Sequence, residues 1–456
     1  MLPNLRRLRA QVETPLGLDL VPAVASSSLL SLELVLVDQF YHRLREGWQP
    51  YLEEKLPVIL STTPNLLQFR LDFGRVHLSD KLASSIAQTV VSLRSLDMNI
   101  ALPISGPTYN FQVMWIDLPL LAPLRQLERL CLHSSCLTLD VRFPLPPSSG
   151  APTAPLFPNL REIDICPGGF APRFYSWCEL LQSSSVQRLT LTSVAYVSVS
   201  DLLKLCSVVV RCFPRVSSFS ASLFSIAGTP TPESVEITPL RKAVTPLFFL
   251  SSLQHVKIDS SGNIPLISLA DADLVAISDC WPGLRDLSLK GFNDSRQSDD
   301  PGDDTSHLCN ISLSALVALA TRCNDLERLE IPLLDVHTLR IEPVDTYPSL
   351  NHRLQYFRVA GTTGGEYSTA ACILDQLFPH VDVMVQLADL GQREAKMCPC
   401  LLGQESCMIA CEDWMECAQY RLYLGIAVCQ DGRGWTQCSE LDPYSSAECE
   451  LHNVAH

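Results

Sequence analysis

The sequence predicts an α/β fold in which short parallel strands stack side by side into a curved solenoid, strands on the concave side and helices on the convex side. Three observations lead there. One apolar hexad recurs through residues 1–388, stretches of helical spacing separate its copies, and an aromatic-Pro turn precedes several of them.

The hexad reads apolar, two variable residues, apolar, one variable, apolar. Clear copies are Leu5-Arg6-Arg7-Leu8-Arg9-Ala10, Leu66-Leu67-Gln68-Phe69-Arg70-Leu71, Leu93-Arg94-Ser95-Leu96-Asp97-Met98 and Leu127-Glu128-Arg129-Leu130-Cys131-Leu132. Others start at Leu160, Val186, Val216, Leu253, Leu284, Leu326 and Leu354, with weaker copies at Leu29 and Val381. Their spacing averages roughly 31 residues, slightly above the norm of about 20–29 for leucine-rich repeats. Loops absorb the irregular intervals, because each repeat contacts only its neighbours.

Alternation inside the hexad marks a short strand whose fourth and sixth residues face one way and whose third and fifth face the other. Between strands, Leu202, Leu205 and Val209 after an expected cap at Ser200 keep helical spacing, as do Leu313, Leu316 and Leu319 after Ser312. One strand-helix unit cannot bury its own apolar face, so units must stack, and stacking parallel strands through helical crossovers builds a solenoid. A Rossmann-like or barrel arrangement would not require the same hexad at every strand.

Composition narrows the function. The 456 residues are 47% hydrophobic and 18% charged, which suits a folded chain. The formal net charge of −15 repels polyphosphates, so no nucleic-acid partner is expected. Residues 1–8 lack the apolar core of a secretory signal and no run approaches a bilayer span, so no membrane partner and an intracellular site, cytoplasm or nucleus, are expected. Ten of the 18 cysteines are scattered through apolar segments, as small hydrophobes are in a reducing compartment. The other eight lie between Cys398 and Cys449, which sets off residues 389–456 as a Cys-rich, poorly ordered extension. Without repeated Cys-x2-Cys pairs this tail reads as an extension, or as the product of an incorrect exon boundary, rather than as a zinc module.

The stretches Asp273 to Leu289, containing Trp281-Pro282-Gly283-Leu284, and Ser314 to Ile331 resemble the repeats of fungal F-box/leucine-rich-repeat-like proteins. Phe157-Pro158-Asn159-Leu160 and Phe213-Pro214-Arg215-Val216 repeat the same turn. The likeness covers residues 1–388 and implies a leucine-rich-repeat-like horseshoe. In that family an amino-terminal F-box opening with a Leu-Pro-x-Glu type motif docks the ligase core. Here Leu2-Pro3 runs straight into a repeat strand and Leu56-Pro57 leads into another repeat, so ligase-core binding is expected only if an F-box lies upstream.

Several local signals are set aside. Asp72-Phe73-Gly74 spells a kinase tripeptide but ends a repeat strand, without a Gly-rich loop or a His-Arg-Asp loop. Asp294 to Asp304 does not fit an EF-hand and reads as a solvated insertion. Pro144 to Pro152 reads as a loop. The ten histidines are dispersed, with His452 and His456 in the Cys-rich tail the one i, i+4 pair, and no metal or cofactor is expected. No nucleophile, base and orienting group stand at plausible spacing, so no enzyme is expected.

The third and fifth hexad residues should therefore line an exposed protein-binding face. Within the longer series that begins with Arg7 and Arg9, the expected site comprises Arg129, Glu162, Asp164, Arg188, His255, Lys257, Asp286, Arg328, Glu330, Tyr356 and Arg358. Charges of both signs in blocks suit a mixed-charge polypeptide, with Tyr356 and the arginines as anchors. The resemblance points to the substrate-recognition half of a ubiquitin-ligase adaptor. The alternatives are an interaction or inhibitor scaffold unrelated to ubiquitin, and a fragment of a longer F-box protein.

Overall fold

The computed structural model describes residues 4–36, 48–73, 79–100, 118–134, 155–166, 169–196, 198–225, 237–262, 267–292, 309–336, 350, 352–363 and 367–381. The Cys-rich extension, the Pro144–Pro152 and Asp294–Asp304 segments, and all but the first residue of the Val381 hexad lie outside the described residues. The chain divides into two compact units, Met1–Ile226 and Ala227–His456.

The first unit runs β1 (Arg7–Val12), α1 (Val21–Val24), β2 (Ser31–Leu36), α2 (Trp48–Ser61), β3 (Gln68–Phe73), α3 (Asp80–Thr89), β4 (Ser95–Ile100), β5 (Arg129–Ser134), β6 (Glu162–Cys166), β7 (Gly169–Phe170), α4 (Ala171–Leu180), β8 (Arg188–Tyr196), α5 (Val199–Cys212) and β9 (Ser218–Ser225). The strands lie parallel in the order β1-β2-β3-β4-β5-β6-β8-β9, and the short β7 also pairs in parallel with β8. The second unit contains β10 (Thr238–Pro239), α6 (Leu240–Ala243), β11 (His255–Gly262), β12 (Ile267–Ala270), α7 (Asp271–Cys280), β13 (Asp286–Lys290), β14 (Cys309–Asn310), α8 (Leu313–Arg322), β15 (Arg328–Asp335), β16 (Tyr356–Thr363) and α9 (Tyr367–Leu377). Its parallel sheet runs β11-β13-β15-β16, and a smaller one runs β10-β12-β14.

Register explains why the hexad repeats. Parallel pairing sets equivalent positions opposite one another: Leu32 meets Phe69, Phe69 meets Leu96, Leu96 meets Leu130, and Leu130 meets Ile163. These fourth-position side chains are buried, as are sixth-position Leu34, Leu71, Met98, Leu132 and Ile165. In the second unit Val256, Leu287, Leu329 and Phe357 form the corresponding buried row. At β1, which among the described residues has a strand neighbour on one side only, Leu8 and Ala10 are merely half-buried.

Polar contacts repeat with the same period. The carbonyl of the second hexad residue accepts two amide N–H groups from the next repeat: Leu30 receives Leu67 and Gln68, Leu67 receives Arg94 and Ser95, and Arg94 receives Glu128 and Arg129. The residue just before the hexad reaches back as a side-chain donor. Ser28 Oγ donates to the Leu5 carbonyl, Asn65 Nδ2 to Ser27, Ser92 Oγ to Leu66, Asn159 Nδ2 to Arg125 and Ser185 Oγ to Leu160, all at 2.9–3.1 Å. Carbonyls of the preceding repeat thus gain a side-chain donor.

The helices pack on their sequence neighbours, α2 on α3, α4 on α5 and α7 on α8. Ser312 caps α8 as expected, its Oγ accepting from Ala315 N, while Asp271 at the start of α7 accepts from both Ser312 N and Ser312 Oγ. The cap of α5 is Ser198, not Ser200. Ser198 forms a capping box with Asp201, and Ser200 Oγ only bonds the Ser198 hydroxyl. Asp273, fully buried, accepts from Ala270 N and Arg241 N and so ties α7 to α6. Gly291, at φ 72°, sits so close to β11 that a Cβ would lie 1.9 Å from the Ser260 carbonyl oxygen, which excludes any other residue.

Two outcomes follow from this packing. Replacing Leu287 or Leu329 by Asp puts an unpaired charge in the shared row and should cost about 3–5 kcal/mol, read as loss of the cooperative melt by circular dichroism. His352 is buried, its Nδ1 accepting from Leu354 N at 3.1 Å and its Nε2 facing the Cys323 carbonyl at 2.9 Å, so the ring is neutral, and burial lowers its pKa. The unfolded chain takes up this proton first, so the contribution is present above a pH of about 6.5 and is lost as the pH falls. Acid melts of His352→Gln should show a shallower decline than wild type.

Candidate functional site

The third and fifth hexad positions lie on the sheet face opposite the apolar rows, because successive side chains of a strand alternate. In the first unit the third-position row runs Ser95, Arg129, Glu162, Arg188, Ser218, each directly beside the next. Glu162 lies between two arginines, 3.6 Å from Arg129 Nε and 3.2 Å from Arg188 Nη1. Farther along, Arg70 lies 3.7 Å from Glu33 and 3.8 Å from Asp97. Charges that read as blocks along the chain thus alternate and pair across strands.

In the second unit His255, Asp286, Arg328 and Tyr356 form the third-position row. Lys257 Nζ pairs with Asp286 at 3.2 Å, and the Arg328 guanidinium stacks 4.0 Å from the centre of the Tyr356 ring. Such a stack contributes about 0.5–1 kcal/mol at an exposed site and about 2 kcal/mol when desolvated, and this one is half-buried. Asp286 Oδ1 and Arg328 Nε are buried without a hydrogen-bond partner among the described residues.

Not every residue expected on the exposed face is exposed. Cys131, Ser288 and Glu330 are buried. Glu330 accepts from Ser288 Oγ at 2.9 Å and pairs with Lys290 at 3.1 Å and Arg358 at 3.3 Å, so two long cationic side chains and a hydroxyl converge on it. Alternation selects the face, but longer neighbours decide how much solvent reaches a given residue. Arg358 is itself occupied by this contact and is less free for a partner than its position implies.

No family model and no curated protein matches this chain. The face must therefore be read from its own chemistry.

One group on it was not legible along the chain. The face continues past the hexad, so His133 follows Cys131 on β5 just as Cys166 follows Asp164 on β6, and the register sets Cys131 beside Asp164 and His133 beside Cys166. His133 Nε2 lies 2.8 Å from Cys131 Sγ and 3.6 Å from Asp164 Oδ2. Asp164 most of all, then the Cys131 and Cys166 thiols, stabilise the protonated ring and push the His133 pKa up to about 12, while burial pushes the Cys131 thiol up. Alternation places His133 and Cys166 on this face one residue past their hexads, but only the pairing of β5 with β6 brings Asp164 beside them.

The Glu330 contacts carry a stability consequence. Glu330→Gln keeps the volume but removes the charge facing Lys290 and Arg358, and should lower stability by about 1–3 kcal/mol in urea denaturation. An unchanged midpoint would mean that both cations are fully solvated in solution.

Proposed function

We propose that this chain is a leucine-rich-repeat-like solenoid that binds protein partners on the concave face of its strands, without catalysis. The observation that carries this reading is the register. Third- and fifth-position side chains from successive repeats stand in rows on one sheet face, while the apolar rows fill the other. A row of this kind offers side chains at the strand spacing of about 4.8 Å, which suits an extended polypeptide surface.

Charge supports a polypeptide over a nucleic acid. The face mixes Arg129, Glu162 and Arg188 in alternation, and the chain carries a net −15. No helix among the described residues is long and apolar enough to cross a membrane. Tyr356, held by the Arg328 stack, and the half-exposed Arg129 and Arg188 are the anchors of choice, because aromatic and guanidinium groups dominate interface energetics. The resemblance of the repeats to F-box/leucine-rich-repeat-like proteins adds the substrate-recognition half of a ligase adaptor as the specific form of this activity.

The test is affinity capture with the full chain against Arg129→Ala/Arg188→Ala and Tyr356→Ala variants. Exposed ion pairs contribute only about 0–1 kcal/mol, so the double variant should keep its melting temperature while partner binding weakens about tenfold or more. Partners retained at full affinity by all these variants, but released by substitutions on the helices, would place the site on the convex side. Copurification of ligase-core subunits would support the adaptor form.

A further inference from the structure

His133 Nε2 is the meeting point of two groups that a single ring nitrogen cannot serve well together. It carries one proton or one lone pair, yet Cys131 Sγ lies 2.8 Å away and Asp164 Oδ2 3.6 Å away. The other oxygen of that carboxylate, Asp164 Oδ1, is buried with no hydrogen-bond partner among the described residues. One donor atom from each of the three residues falls within 4.8 Å of the other two. We propose that Cys131, His133 and Asp164 bind a divalent transition-metal ion of the zinc type on this face of the sheet.

The donor set selects the metal class. Thiolate sulfur and imidazole nitrogen suit zinc and its borderline-soft neighbours, whereas calcium and magnesium require oxygen shells. Bonds of about 2.3 Å to sulfur and about 2.0–2.2 Å to nitrogen and oxygen place tetrahedral ligands roughly 3.4–3.6 Å apart. The nitrogen-oxygen separation already lies near that value, and the sulfur-nitrogen pair needs to open by about 0.7 Å. Thiolate and carboxylate together supply two negative charges, matching a divalent ion with a neutral imidazole.

The backbone holds the ligands in place. Cys131 and His133 are two residues apart on β5 and so share a face, and the parallel register brings Asp164 of β6 directly beside Cys131. Cys131 is buried, but His133 and Asp164 are 35% and 22% exposed, so an ion can reach the cluster from solution. The site takes the metal as thiolate, carboxylate and neutral imidazole, so binding competes with protons for these donors. The cluster lies on the same face, but its metal binding is argued from its own geometry and does not depend on protein binding there.

The experiment titrates Co2+, a spectroscopic probe for zinc sites, into the reduced, chelator-treated full chain and into Cys131→Ser, His133→Gln and Asp164→Asn variants. The cysteines beyond residue 397 have thiols of their own, so the readout is the difference from wild type. The proposal predicts that each variant loses one cobalt equivalent, with its share of tetrahedral d–d absorption, and that Zn2+ raises the melting temperature of wild type more than that of any variant. Cys131→Ser alters a buried position and can perturb folding, so His133→Gln and Asp164→Asn, at partly exposed positions, decide the matter. If both bind as many equivalents as wild type with the same spectrum and the same zinc-dependent melting shift, the site does not exist.

Discussion

The structure depends on one constraint: a strand-helix unit of this size cannot cover its own apolar side chains, so each repeat must be completed by the next. Fully burying one large aliphatic side chain is worth about 1.5–3 kcal/mol. Rows such as Val256, Leu287, Leu329 and Phe357 therefore make neighbouring repeats inseparable in energy. Register follows directly, since a slip of one residue would turn each row toward solvent. The bifurcated carbonyl acceptors and the Ser and Asn side chains that reach back to the preceding turn reinforce that register from outside the core.

The same register that builds the core also composes the opposite face. Once Leu130 must lie beside Ile163, Arg129 must lie beside Glu162 and Cys131 beside Asp164. Each exposed ion pair contributes little to stability. Their consequence is a patterned surface, in which Glu162 is neutralised from both sides and Tyr356 is oriented by Arg328. Where long side chains fold over a short one, as Lys290 and Arg358 do over Glu330, part of that face becomes interior.

Residues that are distant along the chain and chemically unremarkable alone become one cluster of donor atoms by this route. Cys131 and Asp164 would each read as a surface position of a separate repeat. Side by side, with His133 between them, they present sulfur, nitrogen and oxygen donors within reach of a single cation.

By itself, the sequence determined the local structure. The hexads starting at Leu66 and Leu326, which open strands Gln68–Phe73 and Arg328–Asp335, and the capped run Ser312 to Leu319 were legible because period-2 and helical spacing are properties of consecutive residues. The α5 cap was misplaced by two residues, since which of two serines caps depends on which hydroxyl reaches the amide of Asp201. The tertiary structure alone decided the pairing of charges, the burial of Cys131, Ser288 and Glu330, and the meeting of Cys131, His133 and Asp164. Each of these depends on which residue of one repeat stands beside which residue of the next. Loops of unequal length conceal that relation in the chain, and only the packing of the shared apolar rows sets it.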